Sequence, residues 1–514
     1  MNLWRTCFIF LIVVTMWLGD LGIAFAAGPI GLLDAVRITL AENPNIQLQT
    51  KQGDISRGAL QQASGQFDTA LSLTAGRSGN NTPLTPKDSL SYRATELETK
   101  TTAYSVALNT PFRNGVVISP SISATSMTGT VNTLENLPAQ NQGSVNFAII
   151  VPLLRGSGEA AAAGETAAKL QWEASQQDLR LTISQSVLTT VTAYWSFLVA
   201  KRNLDIARES EASVRQMVDD TRKLIAADEL PAADLNLVSA NLLGKTASRI
   251  AAERALIDAR QGLGLAMGLP YPKIVALEVA DGFPSLGSAF SGLENQRMRL
   301  VDLAMKRRPD LVAARLREDS ARTLTSAAQT DLKPQLNVNL NAGYAGLAQG
   351  GGAGAWGGLT QNRTGANIGV SVSYQWPFDN NAARGKYLQQ SASYDQSTLQ
   401  VASVERSIGV GVESAVLGLT LSAMQLDQSQ ATVDLYRISL ENEKTKYKLG
   451  TSTMIDVLTV TDQLLSARLA NLGYQLNTLN ALANLNFATG TLLAEDHAEQ
   501  SIRMEQLVGV PRLN

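Results

Sequence analysis

Cysteine and histidine are almost absent from these 514 residues, which hold one of each, Cys7 and His497. A Cys/His zinc site, a thiolate cluster and a disulfide framework therefore cannot be assembled within one chain. Charge is sparse as well: 17% of residues are ionisable, 43 basic against 45 acidic, for a formal net charge of −2. No basic surface directs such a chain to nucleic acid. Downstream of residue 27 no run reaches the roughly 18 apolar residues of a membrane-spanning helix, so any place in a membrane must be made with β-strands. No catalytic constellation, metal or cofactor is expected.

What apolar clustering there is lies at the start. Arg5, an apolar run from Phe8 to Leu18 and the small-x-small string Ala24-Phe25-Ala26 have the order of a secretory signal peptide, expected over residues 1–26. The run is about half a spanning helix, and Asp20 ends it. Cys7 precedes the run and so is badly placed to carry a lipid in a processed chain. His497 lies in a polar tail and reads as a surface residue.

Glycine and proline are missing from Glu165 to Leu230, 66 residues dominated by helix formers. A helix of that length spans on the order of 100 Å, beyond any compact core, so it must pack lengthwise as in a coiled coil. Leu181, Val187, Leu188, Val191, Trp195, Leu198 and Val199 hold one apolar stripe, in which Tyr194 and Trp195 are packing residues. A second such segment runs from Lys386 to Leu449, and the punctuation of the two agrees. Pro152 and Lys223 are 71 positions apart, as are Pro377 and Lys448, and Asp234 to Gly268 spans 34 positions, as does Asp456 to Gly490. Two repeats are therefore expected, 27–269 and 299–490, with a linker over 270–298 and a tail over 491–514. Each repeat has a short helix after Asn43-Pro44 or Arg308-Pro309, then strands (about 67–152 and 335–378), then a long helical hairpin (about 159–266 and 384–488).

The strands are legible as period-two alternation. Leu336, Val338, Leu340, Ala342 and Tyr344 alternate with Asn337, Asn339, Asn341 and Gly343, and Ala366 to Trp376 follows the same rule. One apolar and one small polar face is what a transmembrane barrel strand requires. The first repeat has two equivalent runs, Phe67 to Gly76 and Ser144 to Val151, and room for one extra hairpin about Pro111-Phe112-Arg113-Asn114-Gly115. Segments 79–99, 127–142 and 350–358 read as loops. Four or six strands cannot close a membrane barrel, so the chain must oligomerise; three copies supply 12 strands, or 18 with the hairpin in the wall.

These residues resemble the TolC-like outer membrane efflux proteins, the exit ducts of tripartite export systems. The strings that carry the resemblance are Pro152-Leu153-Leu154-Arg155-Gly156 and Tyr447-Lys448-Leu449-Gly450-Thr451-Ser452-Thr453-Met454-Ile455-Asp456-Val457-Leu458. The resemblance implies a mainly α fold with a membrane β-barrel: a homotrimer in outer membrane lipid whose helical hairpins form a periplasmic α-barrel. It implies a passive channel served by a periplasmic adaptor and an inner-membrane pump of ABC, RND or MFS type, in efflux or type I secretion. It makes Asp456 the channel constriction, with Thr459 where some members have a second acid. Tyr447 and Asp234 become the closed-state lock, with Ser452 where some members place a helping basic residue. Leu449, Gly450, Thr451 and Ser452 become the adaptor-facing hairpin tip, while Pro152, Gly156, Gly158 and Pro377 mark the strand-to-helix turns. Asp456 read alone is equally a helix-start residue meeting unpaired N–H groups.

Gly156-Ser157-Gly158-Glu159-Ala160-Ala161 fits a dinucleotide fingerprint, but the following helix returns to no parallel strand, so no βαβ unit exists. A periplasmic coiled-coil adaptor or envelope spacer is the alternative reading, disfavoured by two matched hairpins each preceded by alternating strands. In a porin the strands would fill the chain, whereas here they occupy less than about a fifth.

Overall fold

The computed structural model describes residues 28–134, 138–228, 231–284, 292–350, 354–360, 364–493 and 504–511. The expected signal peptide with Cys7, and His497 in the tail, lie outside the described residues, as do Glu229 and Leu230 at the first helical turn. The main helices are α1 (Leu32–Glu42), α2 (Pro44–Ser64), α3 (Ala163–Ala226), α4 (Ala233–Met267), α5 (Arg297–Arg307), α6 (Pro309–Asp331), α7 (Asn381–Lys448) and α8 (Met454–Ala488). The strands are β1 (Ala70–Pro83), β2 (Glu96–Pro111), β3 (Val117–Gly129), β4 (Gln140–Pro152), β5 (Gln335–Gln349) and β6 (Thr364–Gln375).

Two compact units divide the chain, and neither coincides with a sequence repeat: one comprises Gln49–Arg180 with Pro309–Ser407, the other Leu181–Arg308 with the described residues before 49 and after 407. The first holds a single antiparallel sheet in the order β1-β2-β3-β4-β5-β6. The extra hairpin, β2 and β3, is thus part of the sheet, paired on one side to β1 and on the other to β4. Segments expected as loops are so only in part, because β1 continues to Pro83 opposite Glu96 and β4 begins at Gln140 opposite Met127. Arg77 to Pro83 shows no alternation in sequence, since a strand that is wet on both faces needs none.

The second unit is organised by helix ends. Asn43 accepts the Asn45 N–H on its side chain (2.9 Å), capping α2 ahead of Pro44, and donates its amide to the Ala266 carbonyl (2.7 Å). At the end of α4, Gly268 sits at φ 77°, its N–H on the Leu265 carbonyl and the Leu269 N–H on the Gly264 carbonyl. These paired bonds form a Schellman cap, which requires a left-handed residue. A Cβ on Gly268 would lie 2.6 Å from the Glu42 carbonyl oxygen and 2.8 Å from the Pro44 ring. The end of α8 has the same construction: Gly490 at φ 70°, bonds to Phe487 and Asn486, and Arg307 in front of it. Tyr194 and Trp195 are buried, as the apolar stripe requires. Tyr194 does more than pack, for its hydroxyl donates to Asp281 (2.9 Å), whose carboxylate also takes the Leu32 N–H (2.7 Å). Beside it Ile30 pairs with Val279, so the start of the described chain and part of the 270–284 segment are tied to α3.

Candidate functional site

Two surfaces carry the candidate residues, the six-stranded sheet and the turn region of the helical hairpins. Cross-strand partners share a face, and over the middle of the sheet the register sorts the wall into two faces. Leu73, Val106, Ile122, Val145, Tyr344 and Ala366 form one row, while Thr74, Ser105, Ser123, Ser144, Ala345 and Gly365 form the row behind it. The apolar face is the one that lipid can solvate without cost; the other carries hydroxyls and amides that need water. Aromatics bracket the apolar face: Tyr104, Tyr344 and Trp356 towards one end, Tyr374, Trp376 and Phe378 at the other. Leu336, the partner of Tyr374, and Tyr344 are eight residues apart on β5, about 27 Å of strand. At a tilt of about 40° this spans roughly 20 Å, close to the apolar band of outer-membrane barrels.

The β2–β3 turn is fastened to the strand-to-helix turn. Arg113 makes two bonds to Glu165 (2.6 and 2.7 Å) and stands 5.0 Å over the Phe67 ring. The guanidinium, helped by a bond from Ser64, holds the Glu165 carboxyl below the usual carboxylate range. Gly158 donates to the Asn114 carbonyl (3.1 Å), and a Cβ on Gly115 would lie 2.1 Å from the Gly156 oxygen. Gly156 and Gly158, at φ 75° and 64°, turn the chain from β4 into α3. These left-handed positions explain the glycines of the fingerprint-like string without a nucleotide.

At the hairpin turns, α7 ends in a Schellman cap centred on Gly450 (φ 74°): the Gly450 N–H bonds the Tyr447 carbonyl and the Thr451 N–H the Lys446 carbonyl, each at 3.0 Å. α8 then starts with a capping box. The Asp456 carboxylate accepts from the Thr453 hydroxyl (2.6 Å) and N–H (3.0 Å), and the Thr453 hydroxyl accepts the Asp456 N–H (3.3 Å). The Thr453 hydroxyl is the main cause that holds the Asp456 carboxyl below its ordinary value, and Ser452 adds a bond at 3.4 Å. Ser452 also donates to Glu443, which is paired with Lys446. Leu449 is 73% exposed at the apex, while Tyr447 packs against the cluster of Val214, Val218, Val238, Met454 and Leu458. Its hydroxyl is buried without a hydrogen-bond partner among the described residues, and burial with the Asp234 charge raises its pKa. Tyr447 and Asp234 are thus brought near each other but not bonded. The first hairpin turn reaches its left-handed position with Asp228 (φ 59°) where the second uses Gly450.

Residues 300–491 match the family model described as outer membrane efflux protein. Outer membrane protein TolC of Escherichia coli (strain K12) is 26% identical over 321 residues, which is 60% of this chain and 62% of that protein. In this region the chain is similar to the outer membrane efflux proteins, and over about 60% of its length to TolC. TolC of Vibrio cholerae serotype O1 is 24% identical over 329 residues, 63% of this chain and 70% of that one. The match to the Escherichia coli protein spans less than two thirds of that protein's length. Among solved structures, the outer-membrane channel OprN has a TM-score of 0.66 at 15% identity, covering 90% of each chain. The MtrE outer membrane channel of Neisseria gonorrhoeae has 0.60 at 15%, covering 91% and 92%. The fold is that of outer membrane channels.

Proposed function

We propose that this chain is the outer membrane exit duct of a tripartite efflux or type I secretion system. It is a passive homotrimeric conduit, gated at the helical turns and joined through a periplasmic adaptor to an inner-membrane pump. One observation carries the reading: a six-stranded sheet with a lipid-compatible face, a wet face, and two open edges at β1 and β6. Such edges in a membrane must be paired, and pairing β6 of one copy with β1 of the next closes a barrel. The helices support the same assembly. Leu243, Ile250 and Ile257 on α4, and Val410, Leu417 and Met424 on α7, are exposed at heptad spacing, as helices that wind around neighbours require. The matched helix ends at Gly268 and Gly490 support two internal repeats, 27–269 and 299–490.

The tip is assigned the gate. Asp456, repeated by threefold symmetry, forms an acidic constriction that favours cations. Tyr447 locks the closed state by packing on the valine cluster close to Asp234, and Leu449 to Ser452 face the adaptor. The chain is read as a channel and not an enzyme, as its relatives are. A soluble adaptor has no use for a sheet with one face solvated by lipid.

The test is single-channel recording of the purified full chain in a planar bilayer, wild type against Asp456→Ala, with oligomer mass measured on the same sample. A trimer of low conductance whose cation preference falls on losing Asp456 supports the duct. A monomer that never inserts overturns it in favour of the soluble adaptor.

A further inference from the structure

Every wet-face position of the six strands is neutral, from Ser72 and Ser105 through Ser123 and Asn146 to Asn339 and Ser371. The charged residues of the strands, Arg77, Glu96, Glu98 and Lys100, all lie on the opposite face, at the loop end. Six strands per copy make eighteen in a trimer. At a spacing of about 4.8 Å and a tilt of about 40°, eighteen strands enclose a lumen about 25 Å wide once side chains are subtracted, against about 14 Å for twelve. The described part of the β5–β6 connection lies away from that space. Its turn, Gly354–Leu359, lies on the apolar face: Trp356 stacks on Tyr104 (centroids 6.4 Å), and the Leu359 carbonyl takes the Tyr344 hydroxyl (3.0 Å). There it rests on small residues that leave room for it; a Cβ on Gly346 would lie 1.9 Å from the Gly358 oxygen.

Resting on the exit-duct reading, we propose that the membrane section of this duct is a wide, electrically neutral pore of eighteen strands. It passes bulky hydrated solutes of either charge, and sorting is left to the helical tip. A wall without fixed charge exerts no long-range field on a passenger, while hydroxyls and amides exchange hydrogen bonds with any hydrated surface.

The test places single cysteines in the full chain with Cys7→Ser, reconstituted in vesicles, and adds reagents from the loop side of the sheet. Ser121→Cys and Ser123→Cys on the wet face should react with a membrane-impermeant maleimide. Ile122→Cys between them should react at least about tenfold more slowly, and readily with a lipid-soluble one. Maleimides on polymers about 20 Å across should still reach Ser121→Cys. Cationic and anionic methanethiosulfonates, each normalised to a free thiol, should modify Ser123→Cys at rates within about threefold. Adding Ser105→Asp, its paired neighbour, should shift that ratio towards the cation by about tenfold. Equal labelling of positions 121 and 122, exclusion of the 20 Å polymers, or a strong charge bias in the unaltered wall would each overturn the proposal. Those results, in an inserted trimer, bear on the pore alone; a chain that never inserts fails earlier, at the bilayer, and takes the exit-duct reading with it.

Discussion

At the tip, single residues serve two purposes, and substitutions separate them. Asp456 is both the proposed constriction and half of a capping box. Asp456→Asn keeps an acceptor for the Thr453 N–H and loses only the charge, whereas Asp456→Ala loses both. Reversal potentials should therefore move alike in the two variants, while amide exchange in the first turn of α8 accelerates only in the alanine form. Thr453→Ala should weaken that helix start by about 1 kcal/mol and leave the cation preference in place. The pH dependence has a definite sign. The folded-state pKa is lowered by Thr453, so the cap's contribution is present above the ordinary aspartate value near 4 and is lost only as pH falls through the lower, folded value. Cation preference should accordingly persist through the usual carboxylate titration range. Tyr447 makes a sharper case. Its hydroxyl has no bond to lose among the described residues, so Tyr447→Phe should leave conductance unchanged and stability unchanged or slightly higher. Tyr447→Ala empties the valine cluster and should raise open probability, with a stability cost of roughly 2 kcal/mol. A Tyr447→Phe channel that opens like the alanine variant would mean the lock is a hydrogen bond after all.

Among the elements, the helix ends are set by glycines whose need is geometric. Gly268→Ala must strain a left-handed residue and push against the Glu42 carbonyl and Pro44. Backbone strain alone is worth about 1–2 kcal/mol, and a larger loss is expected by thermal unfolding, with a smaller one for Gly490→Ala, whose Cβ would meet Arg307 only at 3.2 Å. Both glycines were readable from spacing, because the matched intervals end on them. The alternating strands and long helices were readable for the same kind of reason: a side chain's period is dictated by its own backbone. What periodicity could not show was long-range pairing. The loop-end halves of β1 and β4 have no apolar face to alternate, so they looked like loops. The hairpin could be found but not placed, since Arg113 gives no hint in sequence that Glu165, 52 positions on, receives it. Likewise Tyr194 looked like packing until Asp281 stood at its hydroxyl. The strap at Trp356 was hidden because its seat is made of absences, the missing side chains of Gly143 and Gly346.

For the molecule as a whole, the decisive quantity is the apolar surface one copy leaves uncovered. Leu243, Ile250 and Ile257 are 72%, 55% and 51% exposed along one stripe of α4. A sevenfold repeat keeps a stripe facing a partner only if the helices wind left-handed around one another, so another helix must lie along it. Burying what each of these side chains still exposes is worth about 1–2 kcal/mol, repeated at every seam of the proposed trimer. An aspartate in the middle of the stripe replaces that gain with the cost of a desolvated charge. Ile250→Asp should therefore abolish the trimer while leaving the monomer helical by circular dichroism. Arg254→Ala, four residues on beside the stripe and 86% exposed in one copy, should weaken the oligomer far less. Native mass spectrometry of the two variants decides the point. An Ile250→Asp chain that still runs as a trimer would mean the sheet edges alone hold the copies together, with the helical stripe serving the adaptor.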